Sequence, residues 1–116
     1  MRPDRDLDTA CAEAAAPNWD GYGALPVEGN TYELAKSFLR ALPRLLPDPD
    51  IAVDPDGEVT FRWICAAREV VAASLRGDGR LSVAAILGDK ELHVTERFFG
   101  QQIPKEFAAQ LDRLFA

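Results

Sequence analysis

Between Glu58 and Phe98 the apolar residues recur at every second position, in four runs separated by turns of two to four residues. In Glu58–Ile64 the residues Val59, Phe61 and Trp63 share one face, and in Glu69–Leu75 Val71, Ala73 and Leu75 do. Gly77-Asp78-Gly79 precedes Leu81, Val83, Ala85 and Leu87. Gly88-Asp89 precedes Leu92, Val94 and Phe98. Period two is the repeat of a strand with one buried face. Parallel neighbours need a crossover of a dozen or more residues, and no such room exists here. Short turns carrying glycine and aspartate join antiparallel strands instead. Ile51 and Val53 add a short fifth strand, and Asp54-Pro55-Asp56-Gly57 turns the chain, proline presetting φ and glycine accepting a positive one.

A meander with one apolar face needs a cover, and the flanking segments supply it. Residues 6–16 place Leu7, Ala10, Cys11, Ala14 and Ala15 at helical spacing, ending at Pro17. A second helix is expected from Asn30 or Thr31, with Asn30 as N-cap and Glu33 completing a capping box. Its expected buried face is Leu34, Phe38, Ala41, Leu42 and Leu45, and Pro43 ends or kinks it near Ala41 or Leu42. Pro104 opens a last helix with Phe107, Leu111, Leu114 and Phe115 on one stripe. The expected fold is α+β: an antiparallel meander of about five strands, covered on one face by two N-terminal helices and one C-terminal helix. All 116 residues are expected to form a single domain.

Composition removes several classes of function. With 13 basic and 19 acidic residues the net charge is −6, against a nucleic-acid-binding surface. Apolar runs such as Val83–Leu87 fall far short of the roughly 18 residues of a membrane helix, so no membrane association is expected. The opening Met1-Arg2-Pro3-Asp4-Arg5-Asp6 alternates charges rather than leading into an apolar stretch, which predicts a cytoplasmic chain. Cys11 and Cys65 have no metal-ligand spacing and are expected to be two small buried hydrophobes.

The chemistry-bearing residues are few. His93 is the one histidine. It lies on the strand face opposite Leu92 and Val94, with Thr95 and Arg97. No serine stands in a nucleophile elbow, and no phosphate-binding glycine loop is present. Asp48, Asp50, Asp54 and Asp56 alternate ahead of Gly57, but prolines interrupt them. Neither zinc nor calcium is expected, and no cofactor.

The most distinctive segment is Asn18-Trp19-Asp20-Gly21-Tyr22-Gly23-Ala24, followed by Pro26. Trp19 is expected to be mostly buried at the helix–sheet interface, with Asp20 accepting hydrogen bonds from loop N–H groups and Tyr22 left at the surface. The segment resembles the opening of a group of small bacterial proteins of unknown function, and the similarity extends to the strand ending in Trp63. The resemblance implies a bacterial origin and one compact domain, and brings no activity.

By exclusion, the sequence predicts a non-enzymatic protein-binding or regulatory module. Its candidate contacts are Tyr22, Trp19, Arg62, His93 and Arg97, and its partner is another protein. A homodimer through an edge strand or the open sheet face is a further expectation. Two alternatives stand beside this reading. One is an acidic inhibitor that blocks a nucleic-acid-binding machine. The other is a small-ligand binder or enzyme using the Trp19/Asp20/Tyr22 loop, with His93 or a connector aspartate as its acid–base group.

Overall fold

The strands form where the periodicity places them. The computed structural model describes residues 2–43 and 46–115. Among these the order is α1 (Arg2–Glu13), α2 (Gly29–Ala41), β1 (Asp50–Val53), β2 (Val59–Ala66), β3 (Glu69–Leu75), β4 (Arg80–Leu87), β5 (Lys90–Arg97) and α3 (Lys105–Phe115). The sheet is a meander in the order β1-β2-β3-β4-β5, every pair antiparallel. The fold is therefore α+β, with its helices at the two ends of the chain.

Alternation sends Val59, Phe61 and Trp63 to the same side as Val71, Ala73, Leu75, Leu81, Val83 and Ala85, and all are buried. Phe38 of α2 and Phe107 of α3 close over them. The Phe38 ring lies 4.7 Å from Phe61, 5.3 Å from Phe107 and 5.4 Å, edge-on, from Phe98. The Trp63 indole packs 5.7 Å from Phe107 and donates from Nε1 to the Pro47 carbonyl at 2.9 Å. That bond gives the buried indole's polar end a partner at the margin of the core. Leu42, Leu87, Leu92 and Val94, expected in the core, are only half-buried. For Leu92 and Val94 the reason is position. They lie on an edge strand, while α1 packs on β1, α2 on β2 and β3, and α3 on β3 and β4.

The helices depart from expectation in ways the local chemistry explains. α1 begins at Arg2 and ends at Glu13, not over 6–16. Proline fits a first helical turn, whose N–H groups lack partners anyway, so Pro3 does not delay the start. Proline also disfavours helix in the residue before it, and the chain unwinds over Ala14–Ala16 ahead of Pro17. α2 starts one or two residues earlier than expected, at Gly29. Glu28 is its N-cap, with extended backbone and no side-chain capping bond. The Asn30 side chain is used elsewhere, donating to the Gly77 carbonyl at 3.0 Å. The buried face is Thr31, Ala35, Phe38 and Leu39, rotated from the expected stripe. Leu34 and Ala41 are half-buried, and Leu45 lies outside the described residues. α2 packs against both α1 and the sheet, so it buries a sector broader than one stripe. Tyr32 helps fasten α1 to α2 by donating to Asp8 at 2.6 Å and accepting from Lys36 Nζ at 2.8 Å. At the other end, Glu96 accepts hydrogen bonds from the first-turn N–H groups of Glu106 and Phe107, tying α3 to β5.

The cysteines differ from one another. Cys11 is buried, as expected, and Cys65 is exposed, which corrects the expectation for it. Cys65 lies at the end of β2, where the pairing with β3 shifts between Ile64 and Ala66, and its Sγ stands 4.0 Å from the Leu114 carbonyl near the end of α3. Burial, reinforced by the Asp8 charge, pushes the Cys11 thiol up to about 11. Iodoacetamide is expected to alkylate Cys65 in the folded protein. Cys11 should react at least about a hundredfold more slowly until the chain unfolds, because the thiolate is the nucleophile. Peptide mass spectrometry along a time course reads both sites, and equal rates would show that α1 is not docked.

Candidate functional site

The Asn18–Ala24 loop is held by its own hydrogen bonds. Asn18 takes a left-handed backbone, φ 61°, the one non-glycine residue to do so among those described. Gly21 and Gly23 have φ of 78° and 84°, a region where a side chain is strained. The Asn18 N–H donates to the Ala24 carbonyl at 2.7 Å, and its Oδ1 accepts from Gly23 N–H at 2.6 Å. Asp20 Oδ1 accepts from the Tyr22 and Ala24 N–H groups at 2.8 and 3.1 Å, the role expected of it. Trp19 Nε1 donates to the Leu25 carbonyl at 2.8 Å. The Trp19 ring is half-buried and stands outside the core cluster. The expected burial at the helix–sheet interface is corrected accordingly: Trp19 braces its own loop, because its indole N–H finds an acceptor six residues on. Tyr22 is 92% exposed, the expected surface aromatic. The closing role of Asn18 went unread in the sequence. Its signal was an asparagine, the residue after glycine most tolerant of left-handed backbone, just ahead of two glycines.

His93, Arg62 and Arg97 all lie on the sheet face that carries no helix, and all are exposed. The registers arrange this face in cross-strand rows. Ile64, Val70, Ile86 and Glu91 make one row, and Asp50, Arg62, Ala72, Ala84 and His93 the next. A hydroxyl row follows, Thr60, Ser74, Ser82 and Thr95, in which Thr60 and Ser74 share a 2.7 Å hydrogen bond. Beyond it Arg80 stands directly opposite Arg97. Among the described residues neither has an acid within ion-pair distance, whereas Arg76 pairs with Glu58 at 2.6 Å. Small side chains leave a depression of about 310 Å³ beside His93, floored by Ala72, Ser74, Ser82 and Ala84.

Of the groups an acid–base site would need, the connector aspartates lie near the end of the aromatic loop, and His93 stands apart from both. The aromatic loop is attached near the β1–β2 turn, where Leu25 N–H donates to the Pro55 carbonyl at 2.7 Å. His93 lies on β5, four strand spacings or about 19 Å across the sheet from β1. Asp56 lines a separate cavity of about 450 Å³ with Pro26, Thr31 and Arg76. Asp48 borders another of about 500 Å³, walled by Pro3, Leu42, Pro43 and Pro49. Asp54, Asp56 and Glu58 bring their carboxylate oxygens within 4.8 Å of one another. Each is engaged in the turn: Asp54 accepts from Thr60 Oγ1, Asp56 from the Glu58 N–H, and Glu58 holds Arg76. Burial, with the charges of Asp56 and Asp54, holds the Glu58 carboxyl above the usual carboxylate range, against the opposing pull of Arg76.

The two sheet edges are unlike. β1 has four residues, is covered by α1 and is bracketed by Pro49 and Pro55. β5 has eight, paired with β4 without a shift in register. Phe98 N–H donates to the Gly79 carbonyl, which fixes the parity of that ladder: even-numbered N–H groups face β4. The N–H groups of Glu91, His93, Thr95 and Arg97 therefore point outward, and among the described residues no backbone group pairs with them. No helix among the described residues is long and apolar enough to cross a membrane. No family model, no curated protein and no solved structure matches the chain.

Proposed function

We propose that this chain is a cytoplasmic, non-enzymatic protein-binding module that takes an extended segment of a partner polypeptide onto the free edge of β5. The observation that carries the reading is the condition of that edge. Proteins blunt exposed edges by shortening them, bulging them, placing proline in them or covering them. β1 shows the first and last of these devices, with prolines at its borders. β5 shows only charged and polar outward residues, which discourage indiscriminate pairing and leave the ladder open. An added strand gains about 0.5–1.5 kcal/mol net per hydrogen bond, and side chains on the adjoining face select it. Arg62, His93 and Arg97 lie on that face.

The test is site-specific photo-cross-linking in the cell that makes the protein. A benzophenone side chain is placed at Thr95 on β5, at Ala52 on β1, or at Tyr22 on the loop. Adducts are expected from Thr95 and lost on His93→Pro, which removes one outward N–H and leaves the β4 ladder intact. Adducts from Tyr22 or Ala52 without any from Thr95 would overturn the reading and move the contact to the loop or the opposite edge.

A further inference from the structure

We infer that the segment received by β5 is the β5 of a second copy of this chain, so that two sheets join edge to edge about a two-fold axis. The inference rests on the strand-addition reading. Its ground is the order of residues along β5, Lys90-Glu91-Leu92-His93-Val94-Thr95-Glu96-Arg97. Residues directly opposite in an antiparallel pair project to the same face. Two copies with their helices on one side must therefore pair odd positions with odd and even with even. Centred on His93, this pairing sets Leu92 against Val94 and Lys90 against Glu96, each twice, on the helix side. One residue past the strand, Asp89 meets Arg97, again twice, on the open face. The outward N–H and C=O groups of His93 bond those of its counterpart at the centre.

Neighbouring registers are worse. Centred on Val94, Glu91 would meet Arg97, but Leu92 faces the Glu96 carboxylate and Lys90 faces Phe98. Centred on Leu92, Lys90 faces Val94 and Arg97 has no acid opposite.

Three features of the single chain agree with the His93-centred pairing. Leu92 and Val94 are half-buried at the edge, and the pairing covers one with the other. Arg97 stands opposite Arg80, an unfavourable pair, and Asp89 of the second copy supplies the missing acid. The helix layer also stops short of the edge. A groove of about 280 Å³ opens between α3 and β5, bordered by Leu92, Lys90 and Gln110, whose Oε1 is buried with no hydrogen-bond partner among the described residues.

Edge pairing alone buries little surface, so the dimer is weak and concentration-dependent. Sedimentation velocity from about 10 µM to about 1 mM spans the range for such an interface. A monomer–dimer equilibrium is expected. Arg97→Asp should weaken it about tenfold by opposing two like-charge pairs. Adding Asp89→Arg to Arg97→Asp should restore it, and His93→Pro should abolish it. Arg97→Asp gives Arg80 an acid within its own chain, so the fold is not weakened, and thermal melts verify this for each variant. A chain that stays monomeric throughout overturns the inference, as does a dimer indifferent to both single substitutions. If it is monomeric yet Thr95 still cross-links a different protein, only the second-copy inference fails. If Thr95 gives no adduct of any kind, the strand-addition reading fails with it.

Discussion

Phe38→Ala should lower the stability of this protein by about 3–5 kcal/mol, the cost of emptying a large buried aromatic site. Phe38 is fully buried, and its ring touches three others, Phe61, Phe98 and Phe107. Those rings come from a strand, from the segment after the last strand and from the C-terminal helix, so the cavity would lie where all layers meet. At typical values per residue, 116 residues give about 6–17 kcal/mol in all. The substitution therefore removes a large fraction, and a fall in Tm of about 10–25 °C is expected. Urea unfolding checks it through a lower midpoint at unchanged slope. Trp63→Ala should cost a similar amount and also strands the Pro47 carbonyl. Trp63→Phe, which keeps a ring but not the N–H donor, should recover most of the loss. A change below about 1 kcal/mol for Phe38→Ala would show that the aromatic cluster is not the centre of the core.

Asp20→Ala should cost about 1–3 kcal/mol through the loop N–H groups it leaves without an acceptor. Its Oδ1 accepts two loop N–H groups, and the loop has no other acceptor placed for them. Trp19→Ala should be milder, about 1–2 kcal/mol, because the ring is only half-buried and one hydrogen bond is lost. Tyr22→Ala should leave stability within about 0.5 kcal/mol, as an exposed side chain does. Chemical denaturation of the three proteins gives the order Asp20, Trp19, Tyr22. If Trp19→Ala melts like the parent while Asp20→Ala does not, the indole is surplus to the loop's stability and free to serve a contact.

Glu96 shows where reading the sequence stops. On the period-two pattern it is a charged residue on the buried face of β5, an apparent fault. In three dimensions it accepts hydrogen bonds at the N-terminus of α3 and fastens that helix to the sheet. Nothing within the strand announces this, because its partners are ten and eleven residues away on another element. Asn30 is the reverse case. It has the chemistry of an N-cap, yet its side chain reaches Gly77, forty-seven positions on. Local capping rules assume no competing acceptor, and the fold brings one in. The candidate contacts divide the same way. The exposure of His93, Arg62 and Arg97 on one face follows from alternation. That they share this face with an unpaired Arg80–Arg97 couple depends on register.

What the sequence alone determined is the meander, the face that each strand buries and the positions of its turns. These are set by neighbours a few residues apart: a period of two, glycine and aspartate at the turns, proline at the breaks. What only the tertiary structure decided is which edge stays open, how far α2 is rotated and whether the Trp19 loop joins the core. Each depends on where three helices, each with several acceptable docking sites, come to rest on a sheet. They pack chiefly on β1 to β4, and α3 reaches β5 through Glu96 while that strand's outer edge stays open. That outcome is settled by the competition of long-range contacts for one apolar face, a quantity no short window of sequence contains.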